Sequence, residues 1–343
     1  MHCEERVQNV LPPLVLAPMA GGPSTPALAA AVAQAGGLPF LAAGYLTPEK
    51  LRQDIEELES RISAPYGVNI FVPDPNGQTC DAEAYRRYRN LILQTVPIDD
   101  ALLPAEPVWT DDAFDAKLRI VLDSGARFVS FTFGYPTTAV MARLHDAGKT
   151  IVLYATSRLG IDAIAALTAD VIGIQGPHAG GHRATVPGID DGSNEPLADL
   201  IEHAVSVSDK PIIAGGGVTG ASDVRALLDA GASAVQVGTM FLDAHEAGTK
   251  ATHRRALREL TDRDTVLTTA FTGRPARAIA NRLTDVLSED APSFYPQLHF
   301  LTSALRKSAD ENNDAENLNL WAGTGFARVR SASAAEIVHD LLP

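Results

Sequence analysis

Cysteine is almost absent from this chain. Cys3 and Cys80 are the only two in 343 residues, unclustered and with no C-x-x-C pair. Neither a disulfide scaffold nor a cysteine-ligated metal is supported, and a reducing, cytoplasmic setting is the expectation. Positive charge is also scarce: 28 Lys and Arg stand against 42 Asp and Glu, a formal net charge of −14. Nucleic acid and anionic membrane surfaces are therefore not expected as partners. No apolar run approaches the ~18 residues of a membrane span. The leading MHCEERVQNV has neither the basic start nor the apolar core of a secretory signal. No G-x-G-x-x-G follows the first strand candidate, which counts against an open dinucleotide-binding sheet.

What is present is a repeated rhythm of short apolar runs and helix-like segments. The runs are LVLAPMA (14–20), LPFLAAG (38–44), YGVNIFV (66–72), RFVSFTFG (127–134), KTIVLYATS (149–157), DVIGIQG (170–176), KPIIAGGG (210–217) and ASAVQVGTMFL (232–242). Between them lie helical segments that open on Thr25-Pro26 or Thr47-Pro48 and mostly stop at Ala-Gly or Ser-Gly. Eight strand candidates alternating with helices predict a parallel sheet, and eight favour closure into a (β/α)8 barrel of the TIM type. Residues 73–112 break the rhythm and read as an insertion after the third strand. The expected division is a barrel over 1–243 and a C-terminal helical cap or small subdomain over 244–343. Within the latter, EAGTKATHRRALREL, FTGRPARAIANRLTDVL and FYPQLHFLTSALRKSA read as helices.

The chemistry concentrates at strand ends, where barrel active sites are built. GPHAGGHRAT (176–185) follows the sixth run: Gly180 and Gly181 admit close backbone approach to a flat ligand, and His182 supplies a group that titrates near neutrality. Gly215, Gly216 and Gly217 end the seventh run, and Gln236, Gly238 and Thr239 end the eighth. Bare amides and a hydroxyl at that place suit a phosphate. Ala17, Pro18, Met19, Asn69 and Gln175 would line the mouth between, with a polarizable thioether and two amides for the polar edge of a heterocycle. Together they describe a flat phosphorylated ring system, which FMN satisfies better than a dinucleotide.

These stretches carry a family resemblance. LAPMAGG, GVNIF, VSFTFG, IQGPHAGGHRAT, PIIAGGGV, QVGTMFL and LWAGTGFARVR, spanning roughly 14–330, resemble the nitronate monooxygenases of the class I branch. The resemblance implies FMN, with its phosphate at Gly215–Gly217 and Gly238–Thr239, Met19, Asn69 and Gln175 against the ring, and His182 as the catalytic residue. It implies oxidation of alkyl nitronates such as propionate 3-nitronate by O2, to a carbonyl compound and nitrite or nitrate, with no metal. The chain departs from the family at His178, where an acidic residue is common, and at Ala184, often glycine. His178 is expected to position the loop. Tyr295, His299 and Thr302 recur at i, i+4 and i+7 and offer one helix face toward a substrate. Arg306 or Lys307 can hold a substrate carboxylate, and Tyr135 can wall the pocket. A monomer or homodimer is compatible with all of this. The rival on the same barrel is an FMN-dependent NAD(P)H:quinone or enoyl-thioester reductase, which shares the phosphate and Gly-Gly-His loops. A non-enzymatic flavin carrier is opposed by the intact His182. A nucleotide dehydrogenase relative would want a cysteine after a strand end, which neither Cys3 nor Cys80 provides.

Overall fold

The structure, a computed structural model, describes residues 11–343; Cys3 lies outside them. Eight parallel strands form the central sheet: β1 Leu14–Leu16, β2 Phe40–Ala42, β3 Gly67–Phe71, β4 Phe128–Thr132, β5 Thr150–Ala155, β6 Val171–Gln175, β8 Ile212–Gly215 and β9 Ala234–Val237. A two-residue strand, β7 Gly181–His182, stands outside it. The sheet order β1-β9-β8-β6-β5-β4-β3-β2 brings the first strand against the last. Leu38, just before β2, completes the circle. It bridges Val15 in parallel, donating from its N–H to Leu14 O and accepting from Leu16 N–H, both at 2.9 Å. The sheet is thereby a barrel with no free edge.

Strand alternation decides what lies inside. Val15, Phe40, Phe128, Val152, Tyr154 and Ile213 form the interior cluster. Val68, Ile70, Ile172 and Ile174 point outward to the helices. The same parity turns Asn69, Gln175 and Gln236 inward at the strand ends. Glycines make room for the large rings: a Cβ at Gly67 would lie 2.3 Å from the Phe40 ring, and one at Gly173 would lie 2.5 Å from Tyr154.

The outer helices begin where the sequence says they should. Helix α1, Pro26–Gln34, opens on Thr25, whose hydroxyl accepts from Leu28 N–H; α2, Pro48–Glu59, opens likewise on Thr47. The insertion carries α3, Ala82–Thr95, capped by Asp81. Tyr85, Tyr88 and Ile92 bury against Phe271, Leu283, Leu298 and Leu301 from the C-terminal segment. The insertion and the C-terminal segment therefore share one apolar cluster. The last helix, Ala334–Leu341, leaves the cap. Held by a Ser333–Glu336 capping box, it packs Ile337, Val338 and Leu341 with Leu14, Leu16, Leu28 and Val224 on the barrel wall.

One expected helix is mostly not helical. Thr265–Thr268 (β10) and Ala276–Ile279 (β11) form an antiparallel hairpin, and only Arg282–Leu287 of that stretch is helix. The turn at Gly273 (φ 78°) and Pro275 stops helix propagation. The edge of β11 is then taken up by β7, with Ala276 opposite His182 and Arg277 opposite Gly181. The FYPQLHFLTSALRKSA stretch is likewise divided, into Gln297–Leu301 and Ser303–Glu311, and Tyr295 precedes both.

Candidate active site

A cavity of about 310 Å³ lies at the C-terminal mouth of the barrel. Ala17, Pro18, Met19, Asn69, Gln175, Gly180 and Gly181 all line it, together with His182, Gly215–Gly217, Gln236, Gly238 and Thr239. Residues that are far apart in sequence meet here because every parallel strand delivers its C-terminal end to the same rim.

The glycine end of the cavity is shaped for an anion. Gly216 and Gly217 have positive φ (133° and 80°), and their N–H groups donate to no acceptor among the described residues. A Cβ at Gly215 would stand 2.4 Å from Gln236 O, so the loop packs too closely for any side chain. Thr239 accepts at Oγ1 from Gly323 N–H at 3.0 Å, and its hydroxyl proton remains available. The tail segment around Gly323 covers this end; Thr324 N–H donates to His178 O at 3.2 Å. His178 itself is exposed, with its Cβ against Gly217, so it supports the loop and lines neither of the cavities described here.

At the opposite end stands His182. Pairing with β11 fixes its backbone, and Gln175 holds it from below: Nε2 donates to His182 O at 2.9 Å, and Oε1 accepts from Ala184 N–H at 2.8 Å. Gln175 thus positions the histidine loop as well as lining the cavity. The ring is set by Thr272, whose Oγ1 is 2.8 Å from Nε2, and by the rings of Phe133 and Trp321, each 5.4 Å away. Burial, reinforced by the nearby Arg274 and Arg306 guanidiniums, pushes its pKa down to about 3. His182 is therefore a neutral imidazole at pH 7, with Nε2 committed to Thr272.

The wall beyond His182 is aromatic and cationic. Tyr45 stacks on His299 with ring centroids 4.0 Å apart and planes 3° from parallel, and Tyr295 donates its hydroxyl to Tyr45 Oη at 3.1 Å. Arg306 lines the cavity and donates to His299 O (2.8 Å) and Thr302 Oγ1 (3.2 Å). Arg274 lies over the Phe133 ring, 4.4 Å from its centroid. Among the described residues neither guanidinium has a carboxylate within ion-pair distance, although Arg274 is buried and Arg306 partly so. Unpaired charges so placed are costly unless an anion arrives.

Two expected pocket residues lie elsewhere. Lys307 points to solvent and pairs with Glu311 at 3.8 Å, because on a helix it sits about 100° around from Arg306. Tyr135 packs against the outer core and hydrogen-bonds Tyr154 O at 3.4 Å. Phe133 lines the cavity instead, its left-handed backbone (φ 74°) breaking the strand alternation at that point. Of the helical face, Tyr295 and His299 reach the site, while Thr302 is buried and bonded to Phe271 O and Arg306. Thr272, Arg274, Phe133, Tyr45 and Trp321 went unread in the sequence as site residues. The Gly273-Arg274-Pro275 turn signal was the one clue to the first two.

Three histidines, His253 buried and His182 and His299 half-buried, make the fold acid-sensitive. Burial holds His182 down to about 3, His253 to about 4 and His299 to about 2, all below the ~6.5 of an unfolded histidine. The unfolded chain then binds more protons, so this contribution is present above pH 6.5 and is lost progressively as pH falls from 6.5 toward 2. Urea midpoints measured from pH 7.5 to 4.5 are expected to fall steadily, and His299→Gln to flatten the fall. A profile with no slope there would contradict the assignment.

The family profile described as nitronate monooxygenase matches residues 5–343. The chain belongs to the nitronate monooxygenase family. A Bacillus subtilis relative, "Probable nitronate monooxygenase", is 33% identical, with 96% of this chain and 94% of the relative covered. One from Staphylococcus saprophyticus with the same description is 32% identical, over 97% and 94%. Among solved structures, the nitroalkane oxidase from Streptomyces ansochromogenes superposes with a TM-score of 0.91 at 40% identity, covering 98% of this chain and 96% of that one. FabK from Thermotoga maritima, at 24% identity and a TM-score of 0.75, shares the fold. Family membership makes the chain an oxidoreductase on a barrel of flavin-binding class. Among the described residues no cluster of three His, Cys, Asp or Glu can hold a metal, and no helix is long and apolar enough to cross a membrane.

Proposed function

We propose that the chain catalyses the FMN-dependent oxidation of alkyl nitronates by O2, giving a carbonyl compound and nitrite or nitrate. One observation carries this reading over the reductase alternative. A neutral imidazole shares its cavity with the Arg306 guanidinium, which has no carboxylate within ion-pair distance among the described residues. Such a cavity favours a small anion, whereas quinones and enoyl thioesters bring no charge to the reacting end.

The residues suit FMN. The glycine loops at 215–217 and 238–239 offer free N–H groups at the anion end. Gln236 Nε2 and Tyr154 Oη are buried on the cavity lining, near each other but without a hydrogen bond of ordinary geometry to any described residue, and so remain open to a polar heterocycle edge. Bound there, FMN supplies the electron transfer between nitronate and oxygen. The chain's own groups do the rest. Arg306 holds the substrate by charge. His182 orients the nitro group, or removes the α-proton when a neutral nitroalkane enters. Tyr45, Phe71 and Phe133 keep water from the reacting face.

Oxygen consumption with nitronates, nitroalkanes and reduced nicotinamides tests the reading. Turnover with nitronates and no nicotinamide requirement is expected; rapid anaerobic bleaching by NADH or NADPH would favour the reductase. Arg306→Met is expected to raise KM for propionate 3-nitronate about ten-fold or more, and to change that for propyl-1-nitronate less. Equal effects on both would remove Arg306 from carboxylate recognition.

A further inference from the structure

Behind the aromatic wall lies a second cavity of about 320 Å³. It shares Tyr45, Phe71 and His299 with the inner one, so these side chains alone stand on both linings. Its walls are otherwise largely apolar, with Leu46, Pro48, Val72, Trp109, Pro296 and Phe300, and the insertion supplies Trp109 through Ala113. Asp74 and Asp111 also line it, which disfavours a second negative charge. The one cation on its lining, Arg274, is covered by Phe133 and Tyr295 and donates to Thr185 O at 3.3 Å.

The partition between the cavities is built under constraint. Tyr45 has a left-handed backbone (φ 68°), unusual for an aromatic residue. It is held there by Asp112, whose Oδ1 accepts from Tyr45 N–H at 3.1 Å. Asp112 Oδ2 in turn pairs at 2.7 Å with Lys117, which is fully buried. The clasp presents the Tyr45 ring between two empty spaces, with His299 stacked on it and Tyr295 bonded at its tip. Backbone strain kept at such a place usually serves the site.

We propose that the outer cavity is a second subsite of the substrate site. It takes the uncharged hydrocarbon end of a nitronate too long for the inner cavity, and the Tyr45–His299 pair sets the length limit. The inference rests on the nitronate reading above for the identity of the reacting end, and on the two cavities for the rest. A methylene buried in such walls improves kcat/KM by up to about four-fold.

The test uses the full chain with its bound flavin and primary alkyl nitronates from ethyl to octyl. Tyr45→Ala is expected to raise kcat/KM for the octyl compound relative to the ethyl compound at least ten-fold. Leu46→Trp, which fills part of the outer cavity, is expected to lower the same ratio at least ten-fold. If both variants change every chain length by the same factor, the subsite is overturned; should Tyr45→Ala not fold, Leu46→Trp decides alone. A crystal soaked in 1-octanol separates this from the reading it rests on. Failure to oxidise any nitronate would sink the proposed function, yet octanol ordered between Trp109 and Phe300 would still support the subsite. Octanol absent from that cavity at saturation would overturn it.

Discussion

His182→Asn is expected to leave the flavin bound and to lower kcat/KM for a neutral nitroalkane by roughly 10²–10⁴-fold, the range for loss of a positioned base. The corresponding nitronate, already deprotonated, should lose much less. The split follows from geometry. His182 lies at the end of the cavity opposite the glycine loops, so its removal leaves the anion cradle intact. Its backbone stays in place, since Gln175 and β11 hold main-chain atoms that asparagine retains. What is lost is a neutral imidazole set by Thr272 at 2.8 Å. Steady-state oxygen uptake with matched nitroalkane and nitronate pairs reads the difference. Full activity toward both would take His182 out of the reaction.

Gly217→Asp is expected to give a folded but colourless protein. Gly217 sits at φ 80°, a conformation aspartate tolerates better than most residues. The nearest obstacle to its Cβ is His178 Cβ, 2.9 Å away, so the His178 loop must give by a few tenths of an ångström, a cost that the Asn variant shares. The new carboxylate would compete for the free N–H groups and repel a phosphate. At about 4 Å and an effective dielectric near 20, two like charges repel by about 4 kcal/mol, on the order of 10³-fold in affinity. Visible flavin absorbance after purification and titration with added FMN check this, with Gly217→Asn as the uncharged control. Equal flavin content in the Asp and Asn variants would move the phosphate away from this loop.

Much of the site was legible in one dimension because barrel chemistry is local to strand ends. The βα units announce themselves by apolar runs and glycine stops, and several by a threonine or serine cap, as at Thr25, Thr47, Thr137 and Ser157. Parity along a strand of period two then says that Asn69, Gln175 and Gln236 share the inner face. The glycine triplet at 215–217 and the Gly-Gly-His loop needed no partner to be read, since their composition already states the demand for close approach.

The rest depended on which distant segments met. Apolar periodicity could not say that Thr265–Thr268 and Ala276–Ile279 would pair as a hairpin, because that hairpin answers to Gly181–His182, nearly a hundred residues earlier. Arg306 and Lys307 are neighbours of like charge in sequence, and only packing put one over the cavity and the other in water. Tyr135 gave way to Phe133 through a single left-handed residue. Local spacing and composition determined the barrel, its anion loops and its histidine. The histidine's depressed pKa, the uncompensated arginines and the wall dividing two cavities were decided by tertiary structure, because burial and charge proximity belong to the folded arrangement and not to the order of residues along the chain.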